Sequence, residues 1–412
     1  MSRSLLAISW AMPPALFPRS LQVARSLSAL AKRGWQSTVI CSEPPANATV
    51  DWALKKRYEG SYTAIEIPDA SAKPRTVWQR LMRRSVAAPK SEVNWVSAAT
   101  EAAIAIAKSQ NFDALITFAQ PWSDHTIGKE VARHSRLPWI AHFSDPWADN
   151  PYINNVMMRA EALAAERGVV EAADLLVFPV ERVANLVMGK YPSDFHAKVR
   201  VVPHGFEPRP RLPVRLGDVS RPMRLIHAGD FYGIRSPAPF IAALRELHAR
   251  APLEGKMEIF FIGSVPEEHI ASVRSAGLER IVHFTGRVSN SRCEALLDTA
   301  DALLVIDAPA DESVFLPSKL IDYLPLGRPI VGLTPKSGAS ADLLDQLGCP
   351  IAEPDDIAAI ETVLETMLFR WQTGSLVADS RFDAVSAGYD ISSTTALLDA
   401  AIHHAVETAM FP

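Results

Sequence analysis

At 412 residues the chain has room for two or three domains. Its composition, 48% apolar and 21% charged, is that of an ordinary globular protein, and a net charge of −4 argues against a surface built around nucleic acid. Three widely spaced cysteines (Cys41, Cys293, Cys349) supply neither a disulfide framework nor a metal-ligand spacing, and no apolar run approaches the roughly 18 residues of a membrane-crossing helix. The N-terminal stretch MSRSLLAISWAMPPALFPRS has the early Arg and apolar core of a secretory leader. Residues 5–10 serve equally as a first core strand that feeds an amphipathic helix. With cysteine usage that suits a reducing compartment, the chain is read as cytoplasmic.

After the strand at 5–10 comes a Pro-rich loop at 12–18, then a helix over 20–33 with Leu21, Ala24, Leu27, Leu30 and Ala31 on its apolar face. Gly34 is the expected stop. Further strands are predicted at 37–41, 64–67, 114–118, 139–142, 175–178 and 199–202, with helices at 94–109, 123–135, 158–172 and 180–190. Strand–helix alternation with short loops predicts a doubly wound parallel sheet. A Pro/Arg-rich stretch, Pro208-Arg-Pro-Arg-Leu-Pro213, reads as a linker, and the alternation restarts with strands at 223–228, 257–262, 281–285, 302–306 and 330–333. The domains are expected at 1–207 and 222–390, joined by a linker at 208–221. The helix within 391–412 is a candidate to return to the first domain. Residues 73–90, locally basic with Trp78, Leu81 and Met82 interleaved, are a candidate peripheral contact with an anionic membrane or else a solvated excursion.

The most informative stretch is SVFLPSKLIDYLPLGRPIVG at 313–332. It lies between two apolar strands and carries Lys319 and Asp322 three positions apart on a short helix, which puts both on one face. A helix start holding Ser318 and Lys319 at the carboxyl edge of a parallel sheet suits a phosphate, and an acid further along suits a pair of sugar hydroxyls. The combination points to a nucleotide-sugar pocket.

Several segments share one resemblance. His204-Gly205-Phe206, the run MRLIHAGDFYGIRSPAPFIAALREL at 223–247, LPSKLIDYLPLGRPIVG, and HFSDPWADNPY at 142–152 together resemble glycosyltransferases of the GT-B fold, in the GT4-like retaining group of bacterial polysaccharide assembly. The resemblance implies an α/β protein with two Rossmann-like, doubly wound domains facing across a cleft, the first for the acceptor and the second for the donor. It implies a sugar transfer from a nucleotide diphosphate, UDP or GDP, to a hydroxyl of a glycan or lipid-linked saccharide, with retention and without a metal or other cofactor.

Residue by residue, the resemblance places Arg235, after Gly229 and Gly233, on the diphosphate, with Ser318 and Lys319 adding to it. Asp230 stands where many relatives carry a further Arg. Asp322 takes the position of the acid that grips the ribose hydroxyls. Val314 falls where relatives carry an earlier glutamate, with Glu312 two residues away. The loop after the first strand, glycine-rich in relatives, here has no glycine and ends at Arg19. His125 is the candidate for contact with the donor sugar, Asp145 for an acceptor-site base or hydroxyl-orienting group, and Trp147 for stacking on a sugar face. Two rival readings keep the fold: a nucleotide-sugar epimerase or hydrolase, and an inactive partner protein. The lack of a GxGxxG after any first strand argues against a dehydrogenase.

Overall fold

The computed structural model describes residues 3–45, 48–68, 90–213 and 220–410. Contacts divide the chain into two compact units, residues 1–205 with 391–412, and residues 206–390.

The first unit is a parallel sheet of seven strands in the order β3-β2-β1-β4-β5-β6-β7. The strands are β1 (Arg3–Ile8), β2 (Trp35–Ser42), β3 (Thr63–Ile67), β4 (Ala114–Phe118), β5 (Trp139–His142), β6 (Leu175–Phe178) and β7 (Val199–Val201). Leu5, Leu6, Ala7 and Ile8 are all fully buried, so β1 is covered on both faces, which explains why the central strands read as unbroken apolar runs rather than alternating ones. Helix α1 (Pro18–Lys32) begins with proline in its first turn, where the missing N–H has no helical partner to lose. It stops at Gly34, whose φ of 95° is the left-handed conformation that favours glycine.

A short helix α2 (Trp52–Arg57) is capped by Asp51. The longer helices are α3 (Lys90–Ser109), α4 (Ser123–Ser135), α5 (Val156–Ala172) and α6 (Glu181–Met188). Helix α4 lies unusually close to the sheet. A methyl group at Gly128 would come within 2.3 Å of Thr117 Cγ2, so glycine is what lets the helix seat. The basic stretch 73–90 falls, up to residue 89, outside the described residues.

The second unit is a parallel sheet of six strands, ordered β10-β9-β8-β11-β12-β13. They are β8 (Met223–Ala228), β9 (Met257–Ile262), β10 (Val282–Gly286), β11 (Ala302–Ile306), β12 (Ile330–Leu333) and β13 (Ile351–Ala352). Its helices are α7 (Ala238–Arg250), α8 (Glu267–Ser275), α9 (Asn290–Leu297), α10 (Ser318–Tyr323), α11 (Ala339–Gln346), α12 (Ile357–Gln372) and α13 (Phe382–Ala387). One core, from Met223 and Phe261 to Leu364 and Trp371, joins this sheet to α7 and α12. The described part of the expected linker is docked on this unit: Arg209 pairs with Asp298, and Arg211 Nη1 meets Asp383 at 2.6 Å.

The last helix, α14 (Ile391–Met410), belongs to the first unit. Leu398, Ala401, Ile402 and Ala405 join the core beside α1. Asp399 fixes the register by accepting from Trp35 Nε1 and from Arg33 Nε, each at 2.8 Å. Among the described residues, no helix is long and apolar enough to cross a membrane.

Candidate functional site

In the second unit the chemistry gathers where β8, β9 and β11 end. The loop after β8 turns through Gly229 (φ 147°) and Gly233 (φ 61°). Gly263, at the end of β9, also has a positive φ, and a Cβ there would lie 2.6 Å from the Gly229 carbonyl oxygen. Two loops thus touch backbone to backbone, and only glycine permits that approach. Asp230 stitches them together: its Oδ1 accepts from Ser264 N at 2.7 Å, and its Oδ2 takes Arg287 Nη2 at 2.7 Å and Nε at 3.1 Å. The position where relatives were expected to carry an arginine therefore holds an acid already engaged by another arginine, Arg287, which the sequence reading missed.

Arg235, from the same loop, lies across the Tyr232 ring with its guanidinium carbon 5.2 Å from the centroid. Its Nη2 is 3.8 Å from Asp307 Oδ1, too long for a hydrogen bond, and its buried Nε has no hydrogen-bond partner among the described residues. Asp307 ends β11 and accepts from Thr334 Oγ1 at 3.0 Å.

Lys319 reaches into the same place from the first turn of α10 and is only 9% exposed. Its Nζ sits against Gly229, 3.1 Å from where a Cβ would stand there. It donates to His227 Nε2 at 3.3 Å. His227 Nδ1 in turn faces the Leu304 carbonyl at 3.0 Å, which fixes the ring proton on Nδ1 and leaves Nε2 as an acceptor. Burial pushes the Lys319 ammonium down to about 7, with Arg235 adding to the effect and Asp307 and Asp230 opposing it. Burial, then Lys319, holds His227 well below the usual imidazole range, so it stays neutral. Gly233 is exposed, and Ser318 is half-buried at the start of α10.

The spacing argument grouped Lys319 with Asp322, but their surroundings differ. The charges acting on Lys319 are Arg235, Asp307 and Asp230, whereas half-buried Asp322 acts on Cys293 of α9, whose thiol burial first, and Asp322 second, push up to about 12. Val314 is half-buried and Glu312 exposed.

In the first unit, the carboxyl ends of β1, β4 and β5 carry a buried polar cluster. Arg19 stands in the first turn of α1, 8% exposed. Its Nη2 donates to His142 Nδ1 at 3.1 Å and to the His142 carbonyl at 3.2 Å. Desolvation pulls Arg19 down to about 10 despite the opposing charges of Asp145 and Asp124. His142 stacks on His204 with centroids 6.0 Å apart, and burial holds His204 down to about 3. Asp124 accepts from Trp10 N at 2.8 Å and Trp95 Nε1 at 3.0 Å, tying the glycine-free loop to α4.

His125 lies entirely inside. Thr117 Oγ1 accepts from Trp139 Nε1 at 3.0 Å and is hydrogen-bonded to His125 Nδ1 at 2.7 Å. His125 Nε2 is buried and has no hydrogen-bond partner among the described residues. Burial keeps this ring neutral, with its pKa lowered to about 3. Asp145 is half-buried, accepts from Gln120 Nε2 at 2.9 Å and Ser144 Oγ at 3.0 Å, and is raised by desolvation. Trp147, expected to stack on a sugar, has its ring stacked on Trp122 at 5.0 Å and 6° and is 8% exposed. That face is occupied by protein. Among the described residues, no cluster of three or more His, Cys, Asp or Glu side chains is placed to hold a metal ion.

No family model and no curated protein matches the chain. Solved structures do. Sucrose-phosphate synthase from Thermosynechococcus elongatus is 13% identical, with 98% of this chain and 100% of that chain covered and a TM-score of 0.73. HepE of Anabaena, solved in complex with UDP-glucose, is 13% identical over 99% of both chains, with a TM-score of 0.66. WaaG, a glycosyltransferase involved in lipopolysaccharide biosynthesis, is 15% identical over 99% of this chain and 100% of that chain, with a TM-score of 0.62. Likeness at this identity speaks for architecture: the two parallel-sheet α/β units of this chain have the GT-B fold of these glycosyltransferases.

Proposed function

We propose that the chain is a glycosyltransferase that takes a sugar from a nucleotide diphosphate and passes it to an acceptor hydroxyl of a glycan or lipid-linked saccharide. The observation that carries this reading is the pairing of two cations, half-buried Arg235 and buried Lys319, with a glycine-built loop at the carboxyl edge of the second sheet. Both cations are short of compensation: Arg235 Nε has no hydrogen-bond partner among the described residues, and Lys319 is depressed to about 7. A diphosphate supplies the missing acceptors and negative charge. UDP or GDP is the proposed nucleotide, since similar structures were solved with UDP-glucose, with UDP and with UDP-2-fluoro glucose.

In this reading Arg235, Lys319 and the N–H groups near Gly233 and Ser318 hold the two phosphates, and Asp322 accepts from the ribose hydroxyls. Positive charge on Arg235 and Lys319 stabilises the leaving diphosphate in place of a metal ion. The bond from the anomeric carbon to the phosphate oxygen breaks as the bond to the acceptor oxygen forms. The departing phosphate oxygen takes the acceptor proton, and the configuration is retained. In the first unit, Arg19 and Asp145 are the proposed acceptor-side groups, and the buried His125 and Trp147 support them from behind.

Thermal unfolding with UDP, GDP, CDP, ADP, TDP and NAD tests the donor half. A ligand that binds only the folded chain raises Tm. The expected result is a rise with one nucleoside diphosphate and none with NAD; no rise with any of them removes the donor reading. Val314, in place of an acid, favours one second reading, a partner protein that binds nucleotide sugar without turnover. Product analysis with the stabilising donor separates the two.

A further inference from the structure

We propose that His227 is a positioning residue for the donor: by accepting a hydrogen bond from Lys319, it keeps that ammonium charged and pressed against Gly229, where the diphosphate arrives. The inference rests on the donor reading above but has its own observable. His227 is fully buried in β8, between Ile226 and Ala228. It makes two directional bonds, donating from Nδ1 to the Leu304 carbonyl at 3.0 Å and accepting at Nε2 from Lys319 Nζ at 3.3 Å. The first bond sets the tautomer, and the tautomer decides that the second is one in which lysine donates. An imidazole of the other tautomer would present N–H to the ammonium and repel it.

The remaining charged groups around Lys319 do not duplicate this. Arg235 opposes its charge; Asp307 and Asp230 favour it without a hydrogen bond to it, and Asp230 is taken by Arg287. His227 does not titrate near neutral pH, so a pH dependence between about 6 and 9 reports Lys319. Loss of the acceptor destabilises the ammonium, and the Lys319 midpoint moves to lower pH.

The test compares wild type, His227→Phe and His227→Gln. Phenylalanine retains the stacking on Phe231, now 4.8 Å between centroids, but has no acceptor; glutamine retains an acceptor. UDP-glucose is the probe, because its phosphates do not titrate in this range. His227→Phe should weaken UDP-glucose binding about threefold near pH 6 and more than about tenfold near pH 8, with His227→Gln close to wild type. Equal weakening at every pH, the signature of general damage to the fold, overturns the proposal. The Lys319 titration, followed without ligand by NMR of ¹³C-labelled lysine, should move to lower pH in His227→Phe; an unchanged midpoint overturns it. If wild type binds no UDP-glucose, the ligand half of this inference falls, the donor reading is decided separately by the nucleotide panel, and the lysine titration alone decides whether the pair is coupled.

Discussion

Replacing Lys319 by methionine should make the protein more stable and a worse binder of its donor. The side chain is 9% exposed and its pKa falls from an ordinary 10.5 to about 7. At about 1.4 kcal/mol for each pH unit, the protonated form carries a penalty on the order of 5 kcal/mol relative to the unfolded chain. Methionine keeps the apolar stem and removes the ammonium. Allowing for relaxation around the charge, the gain expected near pH 6 is about 1–3 kcal/mol. The sign with pH follows from proton counting. A base depressed by folding burdens the fold in full below the folded value of about 7, and the burden lifts as pH rises toward 10.5, because the unfolded chain then holds the extra proton. Wild-type stability from this group therefore climbs by up to about 1.4 kcal/mol per pH unit above neutrality, and Lys319→Met lacks the climb. Urea unfolding of both proteins at several pH values from about 6 to 9 measures this directly. Parallel curves would refute the reasoning, as would a variant less stable than wild type at the acid end.

Other perturbations probe separate parts of the molecule. Arg235→Ala removes a charge-assisted contact on the order of 1–3 kcal/mol, so nucleoside diphosphate affinity should drop by about fivefold or more in calorimetry, and undiminished affinity would take Arg235 out of the donor site. Gly128→Ala sets a methyl group 2.3 Å from Thr117 Cγ2 and 2.9 Å from Trp139 Cε2 and should cost about 1–3 kcal/mol in chemical denaturation. Asp399 is raised by burial, but the bonds from Trp35 and Arg33 outweigh this and leave its pKa lowered. Its stabilising effect is present above the unfolded value of 3.8 and fades as pH falls through the lower folded value, so Asp399→Asn should lose less stability than wild type on acidification. Asp145→Asn should reduce turnover with little change in donor affinity, measured by initial rates beside calorimetry.

The fold was legible because its strands are buried on both faces. Runs such as 114–118, 139–142, 223–228 and 302–306 are mostly apolar rather than alternating, and the observed strands have those bounds. The first strand is shifted, Arg3–Ile8 instead of 5–10, because Ser9 turns its hydroxyl to the Ala11 carbonyl and Trp10 N bonds Asp124, taking the chain out of the sheet. Helices α2 and α13, six residues each, and the two-residue β13 are too short to impose a period.

The candidate site was legible where it is local. Arg235 was named on the resemblance and Lys319 on a short motif, and the structure puts each within reach of the other's charge. Arg287 pairs with Asp230 across 57 positions, a contact no spacing reveals. His227 and Asp307 did leave a signal: a polar residue in or just after an otherwise apolar parallel strand is expensive unless it serves the carboxyl edge. His125 has helical spacing like any surface residue, and only the close seating of α4 at Gly128 buries it against Thr117.

Helix α14 is synthesised after the whole of the second unit, yet it completes the first. While residues 206–390 are being made, the α1 flank of the first sheet has no cover for Leu27, Leu30 and Trp35, and the Arg33 and Trp35 donors have no Asp399. The second unit is contiguous in sequence and can close as soon as it emerges. Assembly order therefore runs against sequence order: the first unit begins before the second and closes after it, with its apolar flank uncovered in between.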